Sequence, residues 1–310
     1  MCQESAVLIV SLDLELAWGF NYELLLGARN AFRYLRIIAL RSRYNIKKLV
    51  SFLEKFKIPI TWGIVGHLFL ESCEAVNGVP HPEMPRPKLS GSDKDWYHFD
   101  PCSNVRKAPL WYAPDLIGMI LSSKVEHEIA CHSFSHPPFS ICSKEVARAE
   151  IEACREIMKL YDLDPETFIF PKNDIAHLSI LKQLGFSIFR FRQHSSVNLP
   201  RCLTDYVLCT RTKHSNTAPL ISVHGLTGIP VHFLFQTPYH VNTLKLLSKA
   251  LLMLKRAIIN GTLFHITFHD HIENDLTLWA LLFFLRYAAK LRAQGKLHIV
   301  TMNRYVEEYV

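Results

Sequence analysis

The feature that most constrains the fold is an unbroken apolar run near the N-terminus, residues 6–12, which ends in the two carboxylates Asp13 and Glu15. A run of this length and β-branched character is typical of a strand buried on both faces, as in a parallel sheet. Side chains alternate along an extended strand, so Asp13 and Glu15 are expected to project to the same side. Two buried carboxylates are costly to desolvate unless a cation pairs with them. The run therefore predicts a buried strand with a cation site at its end.

A second apolar run leads into two histidines four residues apart, His132 and His136. Histidines at i and i+4 on one helical turn face the same way and can bind one cation, and Pro137 prevents that turn from growing into a regular helix. The chain has 16 histidines, so about one pair with this spacing is expected by chance, and a second pair occurs at His265 and His269. The first pair becomes informative together with the carboxylates of the first strand. The combination indicates a divalent metal site.

These motifs resemble those of the polysaccharide deacetylase family, which includes chitooligosaccharide and peptidoglycan deacetylases. The resemblance extends from the first strand to the C-terminus, and residues 11–19 and 127–137 are its most specific part. It implies that Asp13 is the general base. This chain has Asp-x-Glu where many members have two adjacent aspartates. The metal ligands that the resemblance implies are Glu15, His132 and His136.

A third motif lies in residues 262–271, which are predicted to form a strand with alternate histidines on one face. It resembles the last motif of the family, in which a histidine followed by an aspartate protonates the leaving amine. His269 matches that histidine and is therefore the implied general acid, with His271 as a weaker alternative. His265 lies deeper in the strand, and we expect it to be a hydrogen-bonded core residue. Asp205 is too poorly matched to be assigned the family role of tuning this histidine.

Two stretches are predicted to contact the substrate. Residues 66–112 are rich in proline and interrupt the regular pattern; a loop this long is usually a lid or an insertion. The resemblance implies that this insertion shapes a substrate groove, in which Trp96 and other aromatic rings stack on sugars. At the position of Pro171, family members carry an arginine-proline motif, whose loop supplies a backbone N–H to the oxyanion. In this chain no arginine precedes Pro171. The residues predicted to bind substrate are Trp18, Trp111, Tyr112, Lys172 and Asn173.

The remaining pattern alternates strands and helices, which predicts right-handed βαβ units in a parallel sheet. Helices are expected at 45–56 with Asn45 as N-cap, at 114–121, after the N-cap Ser143, and before the stop residues Gly185 and Gly261. About seven strands are expected. We therefore predict a single α/β domain over residues 1–310, a distorted (β/α)7 barrel of the polysaccharide deacetylase type, complete or incomplete. Barrel active sites lie at the C-terminal ends of the strands, where the predicted site residues fall.

Charge and cysteine content bear on location and partners. The formal net charge is +7, and residues 22–44 form a basic amphipathic segment containing Arg29, Arg33, Arg36, Arg41 and Arg43. Such a segment is either a solvated helix face packed on the barrel or a surface that binds an anionic membrane. No nucleic-acid motif accompanies it. The eight cysteines lack a CxxC pattern, and no signal peptide is recognisable, so we expect reduced thiols and a cytoplasmic protein, with peripheral contact at the inner membrane face.

The predicted function is metal-dependent removal of the N-acetyl group from a sugar, a glycan precursor or a lipid-linked sugar. Zinc suits two histidines and a carboxylate, while cobalt, manganese, nickel and iron accept the same ligands. Two alternatives remain at this point. One is an amide or formamide hydrolase on the same scaffold. The loop at 66–112 would determine which of these substrates is accepted. The other is a non-catalytic relative that binds carbohydrate.

Overall fold

The computed structural model describes residues 5–28, 31–192, 208–210, 220–236, 242–272 and 274–310. The strands are β1 (Ala6–Leu14), β2 (Thr61–Ile64), β3 (Glu128–Cys131), β4 (Thr167–Ile169), β5 (Ile188–Arg192), β6 (Leu208–Thr210), β7 (Leu220–Val223), β8 (Leu226–Val231), β9 (Phe233–Leu234), β10 (Leu263–His269) and β11 (Leu297–Val300). The α-helices are α1 (Asn21–Leu25), α2 (Ala31–Phe56), α3 (Pro114–Leu121), α4 (Lys144–Lys159), α5 (Leu178–Gln183), α6 (Thr243–Asn260), α7 (Asp275–Ala293) and α8 (Met302–Tyr309). Short 3-10 turns occupy Leu16–Phe20, Gly66–Phe69, Phe139–Ile141 and Pro171–Asn173.

Parallel pairing joins β5, β4, β3, β2, β1 and β10 in that order. Strand β8 pairs in parallel with the outer edge of β5, and β9, which follows after the single residue His232, pairs in parallel with β10. The segment from β8 to β9 therefore bridges the two ends of the parallel array. Strands β6 and β7 extend from β8 in antiparallel fashion, and β11 pairs with the first half of β1.

The sheet is strongly curled, as a contact between distant strands shows. Arg190 on β5 contacts Asp13 on β1, although four steps along the strand order separate them. In a flat sheet those steps would span about 19 Å. The array must therefore bend into a barrel with an interior, which confirms the predicted α/β class with its largely parallel sheet.

Two apolar clusters follow from this curvature, because alternate residues of each strand face opposite sides. The even-numbered residues of β1 pack outward against the helices. Val7 and Ile9 face inward, where Met302 and Tyr305 of α8 join the interior cluster. Glu128 accepts hydrogen bonds from the backbone N–H of Met302 (2.8 Å) and so fixes the start of α8. The N-terminal end of the barrel is thus filled, and polar side chains are left for the opposite end.

Most predicted helices are present, with one correction. Ser143 accepts a hydrogen bond from the backbone of Val146 as the N-cap of α4, and Gly261 ends α6 in a left-handed conformation (φ 62°). Asn45, however, is not a cap: α2 runs without a break from Ala31 to Phe56. The side chain of Asn45 is buried and donates to the carbonyl of Ile272 (3.2 Å), so tertiary packing uses its amide. None of the helices in the described part of the chain is long and apolar enough to cross a membrane.

The proline-rich stretch at 66–112 contains little regular structure. Beyond the first 3-10 turn it has only isolated bridges between Ser72 and Asn104 and between Val76 and Val79. Its Trp96 indole donates to the carbonyl of Ser135 (3.2 Å), which lies in the loop after β3. The stretch therefore packs against the C-terminal end of the barrel, where the predicted site residues lie.

Candidate active site

Three predicted metal ligands converge at the C-terminal end of the barrel. The Glu15 Oε1 atom lies 3.2 Å from Nε2 of His132 and 3.0 Å from Nε2 of His136. All three side chains are buried. The arrangement brings one carboxylate oxygen and two imidazole nitrogens within reach of one ion, as the sequence predicted.

The hydrogen bonds around these histidines fit a metal ion. His132 donates from Nδ1 to the carbonyl of Ile169 (2.6 Å), which leaves the lone pair of Nε2 directed at Glu15. Metal-binding histidines commonly make this second contact, which fixes the tautomer. Neither ring nitrogen of the buried His136 has an aligned hydrogen-bond partner among the described residues. A cation beside Glu15 would satisfy Nε2 of both rings.

The turn that carries the histidines differs from the predicted helical turn. Strand β3 ends at Cys131, and the following residues adopt a loop in which Ser133 (φ 59°) and His136 (φ 63°) are left-handed. The buried carboxylate of Glu150 on α4 holds this loop by accepting from the N–H (2.8 Å) and the hydroxyl (2.5 Å) of Ser135. The two rings converge because of these contacts, so the predicted spacing was informative but the helical geometry was wrong.

Asp13 is engaged by an arginine that the sequence analysis missed. Both carboxylate oxygens of Asp13 accept from Arg190, each at 2.5 Å. Burial raises the pKa of Asp13, but the charge and hydrogen bonds of Arg190 outweigh it, so the pKa is lowered overall. The available signal was an arginine between two phenylalanines, Phe189 and Phe191, because a charge buried among apolar side chains requires a partner.

This ion pair distinguishes the two carboxylates. Both oxygens of Asp13 are occupied by Arg190, whose positive charge opposes a cation at the same atoms. Glu15 makes no contact with Arg190 in the described structure, and its oxygens face histidines instead. Burial raises the pKa of Glu15, but the neighbouring His136 and His269 lower it well below its usual value. The geometry therefore favours Glu15 as the metal ligand and leaves Asp13 as an ionised proton acceptor.

A second residue that sequence reasoning did not assign, Asp270, positions Glu15. Its buried carboxylate accepts hydrogen bonds from the backbone N–H of Glu15 (3.1 Å) and of Leu16 (3.3 Å). Gly19 leaves the space that the Glu15 side chain needs, since a Cβ at Gly19 would lie 2.2 Å from Glu15 Oε2. The turn after β1 is thus built around the direction of the Glu15 carboxylate.

The three histidines of the last motif occupy different environments. His269 is partly exposed, and its Nε2 lies 3.6 Å from Asp13 Oδ2 and 3.8 Å from Glu15 Oε1. His271 bonds through Nε2 to the carbonyl of Leu16 (2.9 Å). The predicted core role of His265 is confirmed, because its ring is buried and bonds to Ser11 Oγ (2.8 Å) and the carbonyl of Pro230. His269 is therefore the histidine of this strand that stands beside Asp13.

The predicted substrate contacts separate into two groups. Lys172 and Asn173 lie at the rim of the site, where Lys172 pairs with Glu23 (2.7 Å) and Asn173 Oδ1 accepts from Arg190 (3.4 Å). The aromatic rings are packed inside the protein, so the prediction that they offer open faces to a sugar is wrong in this structure. Trp18, for example, is covered by His67 and Trp111. The buried rings are Trp18, Trp96, Trp111 and Tyr112.

Two further residues were considered near the site. Cys131 belongs to the outer apolar cluster, so its side chain points away from that of His132. Asp205 lies outside the residues that the structure describes. Within the described residues, Nδ1 of His269 has no hydrogen-bond partner.

Comparisons with known proteins identify a matching family model and a similar fold. Residues 42–189 match the family model for polysaccharide deacetylases. No curated protein matches the chain. The solved structure of a putative polysaccharide deacetylase from Mycobacterium smegmatis has a TM-score of 0.61 at 13% identity, and the alignment covers 99% of this chain and 91% of that one. At this identity the likeness shows the fold alone.

Two further solved structures have lower similarity. Peptidoglycan deacetylase PdaC from Bacillus subtilis has a TM-score of 0.47 at 13% identity, covering 99% of this chain and 93% of that one. A CE4 family pseudoenzyme from Bacillus anthracis has a TM-score of 0.48 at 12% identity, covering 97% and 66%. The resemblance inferred from the sequence motifs is confirmed over residues 42–189, which match the polysaccharide deacetylase family model.

Proposed function

We propose that this protein is a metal-dependent hydrolase that removes the N-acetyl group from an N-acetylated sugar or a sugar-containing precursor. The observation that carries the proposal is the convergence of Glu15, His132 and His136 on one point beside Asp13 and His269. The match of residues 42–189 to the polysaccharide deacetylase family model supports the reaction class. The arrangement supplies a cation site, a base and an acid, which are the three elements that hydrolysis of an unreactive amide needs.

Glu15, His132 and His136 would hold the divalent cation. Zinc is the first candidate because two imidazoles and a carboxylate are a common ligand set for catalytic zinc, although cobalt, manganese, nickel and iron bind the same donors. When bound, the ion acts as a Lewis acid that makes water more acidic and polarises the acyl oxygen.

The protein side chains would handle the protons. Asp13 is ionised because Arg190 lowers its pKa against the opposing effect of burial, and it would accept a proton from the attacking water. Water adds to the acyl carbon, and the carbon–nitrogen bond then breaks to release acetate. His269, 3.6 Å from Asp13 Oδ2, would give the departing sugar nitrogen its proton as general acid.

The direct test is metal analysis of the purified protein together with acetate and amine release from an N-acetylglucosamine oligomer. We expect stoichiometric metal in the parent protein and release that falls on the order of 10²-fold or more in the Asp13→Asn variant. A metal-loaded protein that binds the oligomer but releases no acetate would instead be a non-catalytic carbohydrate-binding relative. Release from a formamide or ring amide, with none from N-acetylated sugars, would establish the other hydrolase on this scaffold.

We further propose that the substrate is a precursor presented at the inner face of the membrane, such as a lipid-linked sugar. One support is an exposed apolar and basic face on α2, where the exposed residues Arg36 and Leu40 lie one turn apart on the same side of the helix. Trp279 and Phe283 of α7 are also exposed, and Arg41 of α2 pairs with Asp275 at the start of α7 (2.5 Å). Exposed aromatic and apolar residues mixed with arginine suit an anionic lipid surface. Among the side chains of the two helices that the structure describes, the exposed large apolar ones are Phe32, Ile37, Leu40, Tyr44, Leu276, Trp279, Phe283 and Tyr287.

Not all the arginines of the predicted basic segment are available for such a surface. Arg41 and Arg43 pair with acidic residues of this chain, Asp275 and Asp115. Arg29 and the side chain of Arg33 lie outside the described part of the structure. The lipid proposal therefore depends on Arg36 and the exposed apolar residues.

Co-sedimentation with vesicles tests this part of the proposal. Arg36→Glu and Trp279→Glu should each reduce binding to anionic vesicles, whereas Arg106→Glu, at an exposed arginine of the insertion, is the charge-matched control and should not. The two α2 and α7 variants should lose activity on a lipid-linked substrate and retain it on a soluble oligomer. No vesicle binding by the parent protein, or self-association through this face in ultracentrifugation, would contradict the membrane proposal.

A further inference from the structure

We propose a second metal site in the insertion at 66–112, formed by His67, Cys73, His81 and Asp100, which we call the insertion cluster. The Nε2 atoms of His67 and His81 lie 3.1 Å apart, and each lies 3.0 Å from Asp100 Oδ2. Cys73 Sγ completes the group at 3.8 Å from His67 Nε2 and 3.7 Å from Asp100 Oδ2. His67, His81 and Asp100 are buried, and Cys73 is half-buried. None of the four belongs to the site of Glu15, His132 and His136.

The size of the insertion cluster matches a tetrahedral zinc site. Zinc–nitrogen and zinc–oxygen bonds of about 2.0–2.1 Å and a zinc–sulfur bond of about 2.3 Å place tetrahedral ligand atoms roughly 3.3–3.6 Å apart. Five of the six separations among these donor atoms span 3.0–3.8 Å, with the longer ones to the sulfur, as expected, and all six lie within 4.8 Å. Two histidines, a cysteine and an aspartate are donors that zinc accepts, and a site closed by four protein ligands is typical of structural zinc.

The atoms around the insertion cluster orient its members toward a common centre. His67 Nδ1 lies 3.2 Å from the carbonyl of Trp111, and His81 Nδ1 lies 3.4 Å from Glu83 Oε1. Hydrogens on these Nδ1 atoms leave both Nε2 lone pairs facing inward. Asp100 is held through its other oxygen, Oδ1, which accepts from the Cys102 N–H (3.0 Å) and the Tyr112 hydroxyl (3.2 Å). Three inward lone pairs about 3 Å apart repel one another unless a cation lies between them.

A proton is the simplest alternative to a metal ion, and it satisfies the cluster less completely. Burial lowers the pKa of His81, but the hydrogen bonds and charges of Asp100 and Cys73 together more than offset this and raise it to about 10. A proton on His81 Nε2 lies within reach of Asp100 Oδ2 (3.0 Å) and His67 Nε2 (3.1 Å), but it does not bind the Cys73 sulfur, which lies 3.1 Å from the Tyr112 hydroxyl. The pKa of His67 is lowered, chiefly by burial, so a second proton is disfavoured. One divalent ion instead binds all four donors at once.

The position of the insertion cluster indicates what the ion would do. Its four members come from separate points of a long stretch with little regular structure, and a shared ion would cross-link them. The backbone N–H of His67 donates to the carbonyl of Phe134 (2.9 Å), in the loop between His132 and His136. The ring of Trp18, from the turn after Glu15, packs on the His67 ring at 4.6 Å. The site would therefore brace the wall of the candidate active site.

Metal stoichiometry in variants of the full chain tests the inference. The variant His132→Ala/His136→Ala removes the candidate catalytic site, and we expect it to retain about one zinc per chain after purification with zinc present. Adding Cys73→Ser should remove that zinc, while adding Cys102→Ser, a nearby thiol outside the cluster, should not. A folded His132→Ala/His136→Ala variant that holds no zinc would overturn the inference.

Cobalt spectroscopy of the parent protein gives a first readout that does not require any variant to fold. Thiolate-bound cobalt absorbs in the near ultraviolet, and the candidate catalytic ligands include no thiol. We expect the cobalt-loaded parent protein to show this band, Cys102→Ser to keep it and a folded Cys73→Ser to lose it. Two bound cobalt ions without a thiolate band would overturn the assignment of Cys73. Neither experiment measures hydrolysis, so failure of the proposed deacetylase activity would leave this inference standing.

Discussion

Arg190 holds Asp13 through a two-pronged contact, with Nη1 2.5 Å from Oδ1 and Nη2 2.5 Å from Oδ2. The two residues lie on strands four steps apart, so the contact exists only because the sheet is curled. Its consequence is chemical. It fixes the carboxylate in one orientation and lowers its pKa against the effect of burial.

Arg190→Gln should therefore raise the pKa of Asp13, because the remaining large influence on the carboxyl is burial. The acidic limb of the activity profile should move to higher pH, since the base becomes protonated at a pH where the parent is still ionised. Removing one partner of a buried ion pair should also lower stability by about 3–5 kcal/mol. Arg192→Gln, at the exposed end of the same strand, is the matched control. An unchanged acidic limb in a folded Arg190→Gln protein would show that Asp13 is not the base.

Asp13→Asn and Glu15→Gln should separate the base from the ligand. Asp13→Asn should keep the metal and lose on the order of 10²-fold or more in turnover, because the proton acceptor is gone. Glu15→Gln should lose the metal as well as the activity, because Glu15 supplies the carboxylate between the two histidines. Metal content and turnover measured on the same samples decide between these roles. Loss of metal from Asp13→Asn alone would require the two assignments to be exchanged.

His269→Ala should retain the metal and lose on the order of 10²-fold in turnover on an N-acetylated sugar. An activated ester of acetate needs no proton on its leaving group, so its hydrolysis should be much less affected. The loss in His269→Ala should be compared with that in His271→Ala. His271 is the weaker alternative for the general acid, because its Nε2 is bonded to the carbonyl of Leu16. Equal losses on both acyl substrates would assign His269 a role other than the general acid.

The folded protein should lose stability in mild acid because of His232, which lies between β8 and β9 and contacts β10. Its Nδ1 accepts a hydrogen bond from the N–H of His265 (2.9 Å), and burial lowers the pKa of His232 to about 4. Between pH 6.5 and 4 the unfolded chain binds a proton at this residue and the folded protein does not. Stability should therefore fall as the pH drops through this window, by up to about 3 kcal/mol.

His232→Asn tests this dependence, because an amide oxygen can replace Nδ1 as acceptor but does not titrate. Chemical unfolding at several pH values should show a shallower decline below pH 6.5 than in the parent protein. The same substitution at the exposed His298 controls for the change of residue type. Parallel stability curves for His232→Asn and the parent would show that His232 does not contribute to the acid sensitivity.

The local sequence determined the elements and the position of most of the candidate site. Strand β1 is a largely apolar run with carboxylates at its C-terminal end. The burial of the strand and the location of Asp13 and Glu15 at its end therefore follow from the local sequence. The same holds for His132 after β3 and His269 at the end of β10. In a parallel barrel the C-terminal ends of the strands meet, so residues placed at those ends are brought together whatever the loops do.

Only the tertiary structure decided which side chains touch. Asp13 and Arg190 lie 177 residues apart, and the four donors of the insertion cluster are irregularly spaced within one stretch. No local periodicity encodes either set of contacts. The left-handed turn that aims His136 depends on Glu150 of a later helix. Burial of Trp18 and Trp111 depends on how the insertion folds back over the barrel. The local sequence pattern determines which side of its strand a side chain faces and where along the strand it lies. The residue that it contacts depends on the curvature of the sheet and on packing, which the whole chain produces.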